Sequence, residues 1–358
     1  MKSPKKLVHD PEGLNTGTWP VSAQDFITPV DRFFTRSHGP VPQIDSEAWR
    51  LRVGGLVERP RSFSLAELIG SFPTRTIAAT LVCAGLRRDE FLTLGPLPGE
   101  LPWGPEPAGT GEWTGIALAD LLRSLETSRE ARQVELIGLD RVERHGEHFG
   151  FGGSIDLAKA LSDEVLLATH LNGAPLSAEH GFPLRAVVPG WIGARSVKWL
   201  GQITLRKDPT RNYFQTQAYR VQQQIDPRDP GDVSAGIALS EVPVNAVILQ
   251  PEQDERLTAG RVLVRGWAMG SGARIVTRVE LSLDGREWAP ARLLPQESSW
   301  TWTFWESELD LTPGRHTLMV RATDSSGATQ PDRIEDTWNV KGYANNAWHR
   351  IAVELVSR

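Results

Sequence analysis

The one cysteine of the chain lies in Leu81-Val82-Cys83-Ala84-Gly85-Leu86-Arg87-Arg88, an apolar run that ends in a glycine turn and two arginines. Guanidinium groups nearby favour the thiolate, which is both a nucleophile and the soft donor that a transition metal shares with sulfur-rich cofactors. Free cysteine is also among the most buried residue types, so the segment by itself reads as readily as a small core position. A single cysteine leaves no intramolecular disulfide, cysteine-rich zinc site, iron–sulfur cluster or Cys-x-x-Cys-His haem attachment. His145 and His148 form a His-x-x-His pair, but in the polar stretch 141–149, with no third soft ligand assured, they read as a solvated loop.

Four further segments set basic side chains beside rings and small turn residues. They are Arg32-Phe33-Phe34-Thr35-Arg36-Ser37-His38-Gly39-Pro40, Gly138-Leu139-Asp140, His180-Gly181-Phe182-Pro183-Leu184-Arg185 and Gly193-Ala194-Arg195-Ser196-Val197-Lys198-Trp199-Leu200. Arginine grips phosphates and other oxyanions with a bidentate fork, lysine acts as a point charge, and a carboxylate accepts from ring N–H groups. Taken singly, such histidines and arginines are more often structural or solvated.

The elements that would position these residues are short. Strand-like runs occur at Trp49–Val53, Thr76–Cys83, Gln133–Leu139, Glu164–Leu171, Pro183–Pro189 and Val197–Leu205. Helical spacing occurs at Ser64–Ile69, Leu118–Leu125 and Asp156–Leu161, the last opened by Ser154 or Asp156 as a cap. Between Arg220 and Pro243 the sequence turns polar, with Gln222-Gln223-Gln224, Pro227 and Pro230-Gly231, as a connection between domains does. Beyond it, strand-like segments recur at Val262–Trp267, Thr277–Leu283, Trp288–Leu294, Trp300–Trp305 and Arg315–Asp324, with Asp284-Gly285 as a tight-turn signal. That spacing reads as a β-sandwich, whose core and interface account for many of the 13 tryptophans.

A chain of 358 residues with 40% hydrophobic and 23% charged residues, 33 Gly and 25 Pro is a loop-rich globular protein of two domains. The formal net charge of −5 argues against nucleic acid or an anionic membrane as the main partner, so an anion would be bound in a local basic pocket. No apolar run is long enough to span a bilayer. The segment Met1 to Trp19 lacks an apolar signal core, so the expectation is a cytoplasmic protein, or a periplasmic one had an export signal been removed.

In order, spacing and wording, the cysteine segment and the four basic segments together resemble the sulfite oxidase family. The resemblance continues in Ile275 to Gly285, Arg321-Ala322-Thr323-Asp324 and Asn346-Ala347-Trp348-His349-Arg350, and covers nearly the whole chain. It implies an α+β protein: a mixed α/β molybdopterin-binding domain (1–225), a linker (226–240) and an immunoglobulin-like β-sandwich dimerisation domain (241–358), forming a homodimer. It also implies a molybdenum–molybdopterin cofactor ligated by the Cys83 thiolate, with no haem in this chain.

By the same resemblance Phe34, Arg36, Ser37, His38, His180, Arg185, Ser196, Val197 and Lys198 hold the pterin, and Asp140 accepts from its ring. Arg36, Arg88, Arg350, Tyr219 and Trp103 form the anion pocket. The implied reaction is oxidation of sulfite to sulfate, with electrons passed to an external acceptor, dioxygen or a separate cytochrome. The alternatives are another molybdenum enzyme of this scaffold, such as a nitrate reductase, and a non-catalytic scaffold protein. Two positions depart from the family's wording: Leu86 and Ser37 each stand where asparagine is usual. Each loses a side-chain amide from the cofactor shell, which bears on substrate preference.

Overall fold

The computed structural model describes residues 6–18, 25–222 and 233–357. The first half is built on two sheets. In one, β10 (Gly152–Asp156), β7 (Gln133–Gly138), β14 (Leu200–Arg206), β3 (Leu51–Gly55) and β4 (Arg61–Phe63) lie side by side in that order, antiparallel except for β14 on β3. In the other, β12 (Ala174–Pro175), β11 (Leu166–Leu171), β6 (Ala108–Ala117) and β5 (Thr74–Val82) follow one another, and β13 (Arg185–Val187) also pairs with β11.

Period-two alternation sends Leu51 and Val53, Val134 and Leu136, and Ile203 and Leu205 of the first sheet into one core. There they meet Leu118, Leu121 and Leu122 of α2 (Leu118–Ser124). In the second sheet β11 and β13 are covered on both faces. Leu167 and Ala186 enter that core, while their neighbours Leu166, Ala168 and Val187 enter a second one with Ala79, Leu81, Cys83, Trp113, Phe33 and Phe34. A strand covered on both sides reads as a continuous apolar run, which is why Glu164–Leu171 shows no alternation.

The helices are brief. In α1 (Leu65–Ser71) the Ser64 hydroxyl accepts from Glu67 N and the Glu67 carboxylate accepts from Ser64 N, a complete capping box. Asp156 occupies the N-cap position of α3 (Leu157–Ala160), but its carboxylate accepts from Gln133 Nε2 instead of capping. The long strand β6 was not legible because its sequence, AGTGEWTGIA, is broken by glycine. The glycines are steric: a Cβ on Gly115 would lie 2.0 Å from Leu167 O, and one on Gly111 would lie 2.4 Å from a Leu171 methyl.

Two sheets pack face to face in the second half. One runs β17 (Asn245–Gln250), β19 (Gly260–Met269), β23 (Thr303–Leu311), β22 (Arg292–Leu293). The other runs β18 (Glu255–Thr258), β25 (His349–Val356), β24 (Gly314–Asp324), β20 (Val276–Leu283), β21 (Trp288–Pro290). Val264, Leu281, Val320, Val353 and Trp305 fill the space between them. The expected single strand Trp288–Leu294 is two, β21 and β22, because the chain crosses between the sheets at Ala291. Asp284 and Gly285 have φ of 54° and 69°, as the turn signal requires.

Part of the expected linker, residues 226–232 with Pro227, Pro230 and Gly231, lies outside the described residues, as do Gln223 and Gln224. Of the remainder, β16 (Ile237–Ala238) pairs back on β15 (Arg220–Val221). Two smaller hairpins complete the fold: β1 (Lys6–Val8) with β2 (Thr16–Thr18), and β8 (Val142–Arg144) with β9 (Glu147–Phe149). A last short helix, α4 (Tyr213–Thr216), precedes Tyr219.

The two halves meet along an apolar seam that includes Leu86, Ile192, Trp267, Met269, Trp302 and Tyr343. At its centre Arg87 is fully buried. Its Nε and Nη2 donate to the Glu90 carboxylate at 2.6 and 2.8 Å, and its Nη1 donates to Asn245 Oδ1 at 2.8 Å and Ala347 O at 2.9 Å. Removing one partner of a buried ion pair strands the other and costs roughly 3–5 kcal/mol. Arg87→Ala is therefore expected to lower unfolding free energy by about 3 kcal/mol or more and to separate the unfolding of the two halves, seen as two urea transitions where the parent shows one.

Candidate active site

A cleft of about 710 Å³ opens where the end of β5, the segment 33–38 and the turn after β13 converge. Cys83 lies on its wall, one residue past β5. Its N donates to Pro107 O, its carbonyl accepts from Leu86 N, and Gly85 N points at Sγ from 3.5 Å. A Cβ on Gly85 would lie 2.8 Å from the Arg88 guanidinium carbon, so any side chain there would displace that group.

The cleft brings together Phe34, Arg36, Ser37, His38, Asp140, His180, Arg185, Ser196, Lys198 and Tyr219 around Cys83. Segment 33–38 is held by the N-terminal hairpin: Thr16 and Thr35 exchange backbone hydrogen bonds at 3.0 and 2.8 Å. The buried Asn15 accepts at Oδ1 from Arg36 Nη1 (2.9 Å) and from Ser37 N (3.1 Å). An amide thus sits beside Ser37 after all, contributed from elsewhere in the chain. Ser37 Oγ accepts from Lys198 Nζ at 2.8 Å, and Glu179 O accepts from the same ammonium at 2.8 Å. Leu86 packs instead into the apolar seam and lines a smaller cavity on the far side of Cys83.

Arg185 is buried and spends its guanidinium on carbonyls, His180 O at 3.0 Å and Ser196 O at 3.1 Å, while Ser196 Oγ accepts from Val188 N. Burial lowers its pKa to about 9. Desolvation, then the neighbouring Arg185 charge, holds Lys198 well below the usual lysine range. Asp140 accepts from Phe151 N at 2.9 Å, and burial raises its carboxyl. His38 Nε2 lies 2.8 Å from Tyr219 Oη, and burial pushes the Tyr219 phenol up to about 12.

Four expected site residues are placed elsewhere. On β25 the alternation turns His349 inward, where Nδ1 accepts from Ile248 N, and turns Arg350 outward to Asp332 (2.9 Å) and the face of Trp348. Trp103 is fully buried against His9, with ring centroids 4.2 Å apart. Val197 faces the first core, and only its carbonyl, accepting from Ala186 N, turns toward a neighbouring strand. Arg88 lies behind the Cys83 turn between Gly85 and Gly342. It donates to Gly342 O and Leu101 O, pairs with Glu100 at 3.3 Å and stacks on Tyr343, whose ring in turn stacks on Tyr219 at 5.2 Å.

Two residues of the site had no signal before the structure. Asn15 is a lone amide far away in sequence. Arg144, whose Nη2 lies 3.3 Å from His38 Nδ1, sits in the stretch expected to be a loop; it is the hairpin β8–β9, turned by His145 and Gly146 at φ 53° and 79°. The alternation Val-Glu-Arg and Glu-His-Phe on either side of His-Gly was a readable signal for the hairpin, though not for the contact of Arg144 with His38. The histidine pair belongs to no group of three or more candidate metal ligands among the described residues.

The donor set favours an anionic ligand. Among the described residues, Arg36, Arg185 and Lys198 donate to carbonyls, an amide and a hydroxyl, with no carboxylate within ion-pair distance. Cations desolvated without a counter-charge are costly, and an oxyanion such as a phosphate relieves that cost. Next to a soft sulfur donor, this suits a metal cofactor that carries a phosphate.

Comparisons with known proteins point the same way. A family model of the oxidoreductase molybdopterin-binding domain matches residues 38–214, and one of the Mo-co oxidoreductase dimerisation domain matches residues 237–356. Sulfite oxidase of Gallus gallus is 38% identical, covering 92% of this chain and 73% of its own length. Sulfite oxidase of Arabidopsis thaliana is 33% identical, covering 92% and 88%. An inducible NADH nitrate reductase of Glycine max is 35% identical over 92% of this chain and 39% of its own length. The sulfane dehydrogenase SoxCD from Paracoccus pantotrophus superposes with a TM-score of 0.82 at 26% identity, covering 98% of this chain and 88% of that one.

The electrostatics of the cleft can be tested on stability. Burial first, then Arg36, Arg144, Lys198 and Arg88, hold His38 well below its usual value. The unfolded chain therefore binds a proton that the folded one refuses, and the native state loses stability as pH falls below about 6.5. In cofactor-free protein, the urea midpoint is expected to drop less between about pH 8 and about pH 5 in His38→Gln than in the parent.

Proposed function

Because the chain belongs to the sulfite oxidase family of molybdopterin oxidoreductases, we propose that it oxidises sulfite to sulfate in the cleft beside Cys83. The observation that carries this reading is the set of cations around the single thiol, Arg36, Arg185 and Lys198, which among the described residues have no carboxylate within ion-pair distance. Bound there, the molybdenum–molybdopterin cofactor supplies a two-electron oxidation. Every other part of the chemistry belongs to the chain.

Cys83 would ligate the molybdenum through its thiolate, which the turn to Gly85 aims into the cleft. Arg185, Lys198, Ser196 and His180 would hold the phosphate and polar edge of the pterin, with Phe34, Ser37 and His38 along its side and Asp140 accepting from ring N–H groups. Arg36 and Tyr219 hold the sulfite, Arg36 kept in place by Asn15 and Tyr219 by the stack on Tyr343. Arg88 acts from behind, adding positive potential at His38 and Tyr219 while it stays fixed to Gly342 O and Leu101 O. Preorganised donors of this kind stabilise the charge that shifts when sulfite gains an oxygen.

The electrons leave to an external acceptor, dioxygen or a separate cytochrome, and the chain works as a homodimer through its C-terminal sandwich. Among the described residues no helix is long and apolar enough to cross a membrane.

Two outcomes check the reading. Purified protein is expected to carry molybdenum at about one atom per chain and to reduce ferricyanide in the presence of sulfite, whereas Cys83→Ser keeps its circular dichroism and loses turnover; unchanged turnover in that variant removes the mechanism. Arg36→Gln loses a charge-assisted hydrogen bond worth roughly 1.5–3 kcal/mol, so its KM for sulfite is expected to rise at least about tenfold, with weaker inhibition by sulfate.

A further inference from the structure

The phenol of Tyr219 serves an oxyanion only if its hydrogen is free to be donated. Among the described contacts its oxygen has one hydrogen-bond partner, His38 Nε2, at 2.8 Å. A hydroxyl beside an imidazole either donates to it or accepts from it, and only the second arrangement leaves the phenolic hydrogen for a ligand. The choice is made at the other ring nitrogen. His38 Nδ1 lies 3.3 Å from Arg36 Nη2 and 3.3 Å from Arg144 Nη2. A guanidinium can only donate, so Nδ1 must present its lone pair to both.

The charges that act most strongly on the ring are Arg36 on its own segment, Arg144 from β8, Lys198 from the turn before β14 and, from behind Cys83, Arg88, and these four are cationic. A second proton on the imidazole is thereby opposed, and the neutral ring carries its one proton on Nε2, donated to Tyr219. The ring has little freedom to swing away. Phe151 stacks on it at 5.3 Å and 9°, and Phe214 tilts against it at 4.4 Å. Arg144 is braced in turn with its guanidinium 5.8 Å over the Phe214 ring.

We propose that Arg144 is a positioning residue: with Arg36 it locks His38 as the neutral Nε2–H tautomer, which makes Tyr219 a donor to an oxyanion in the cleft. Its link to catalysis rests on the sulfite reading above; the tautomer itself does not. Arg36 borders the cleft directly, whereas Arg144 acts only through His38, so it is the cleaner residue to change.

The test uses the holoenzyme with ¹⁵N-labelled histidine, assigned by comparison with His38→Gln. The parent is expected to show the His38 proton on Nε2, and Arg144→Ala to show the two tautomers mixed. In parallel, kcat/KM for sulfite falls about tenfold in Arg144→Ala, the scale of one hydrogen bond, and Arg144→Lys restores most of it. Tyr219→Phe loses a similar factor, and the double variant Arg144→Ala with Tyr219→Phe loses no more than Tyr219→Phe alone. A parent ring protonated on Nδ1, or an Arg144→Ala ring unchanged from the parent, overturns the proposal. Were the chain to oxidise no sulfite, the tautomer shift in Arg144→Ala would still support the positioning role while the substrate reading failed.

Discussion

Two guanidinium groups buried directly after Cys83 set the frame for everything around them. Arg87 reaches into the C-terminal half, to Asn245 and the Ala347 carbonyl, and Arg88 lies under the Cys83 turn with Gly85 on one side and Gly342 on the other. The thiol is thus placed by contacts that belong to both halves of the molecule. Tyr343, from the C-terminal half, lies against both Arg88 and Tyr219. The C-terminal half therefore supports the back wall of the cleft.

Charge in the cleft is arranged for a ligand more than for stability. Arg185 and Lys198 are drawn out of water, and with the half-buried Arg36 they are satisfied, among the described residues, by neutral acceptors, an arrangement that a fold optimised for its own sake would answer with carboxylates. The chain does use carboxylates where the task is structural, as at Glu90 beneath Arg87 and Glu100 beside Arg88. An acidic partner thus distinguishes Arg87 and Arg88 from the three cations that line the cleft.

The legible parts of the sequence were those governed by local rules. Apolar runs marked β5, β7, β11 and β14, and helical spacing marked α1. Strand β6 escaped because the glycines that let it lie against β11 also erase its pattern. Ordered motifs gathered most of the cleft, since those words sit on strand ends that the sheets bring together. Arg350 went astray for a geometric reason: a short match fixes position along a strand, but one step of alternation decides which face a side chain takes. Asn15 and Arg144 had no local signature, as each acts on a partner more than twenty residues away.

The hairpin of residues 6–18 carries Asn15, which shares no place in the cleft lining yet holds both Arg36 and the backbone of Ser37. The amide that bonds Arg36 and the Ser37 backbone thus comes from a separate piece of chain. A change confined to that hairpin can therefore move Arg36 while every residue of the segment that carries it stays the same.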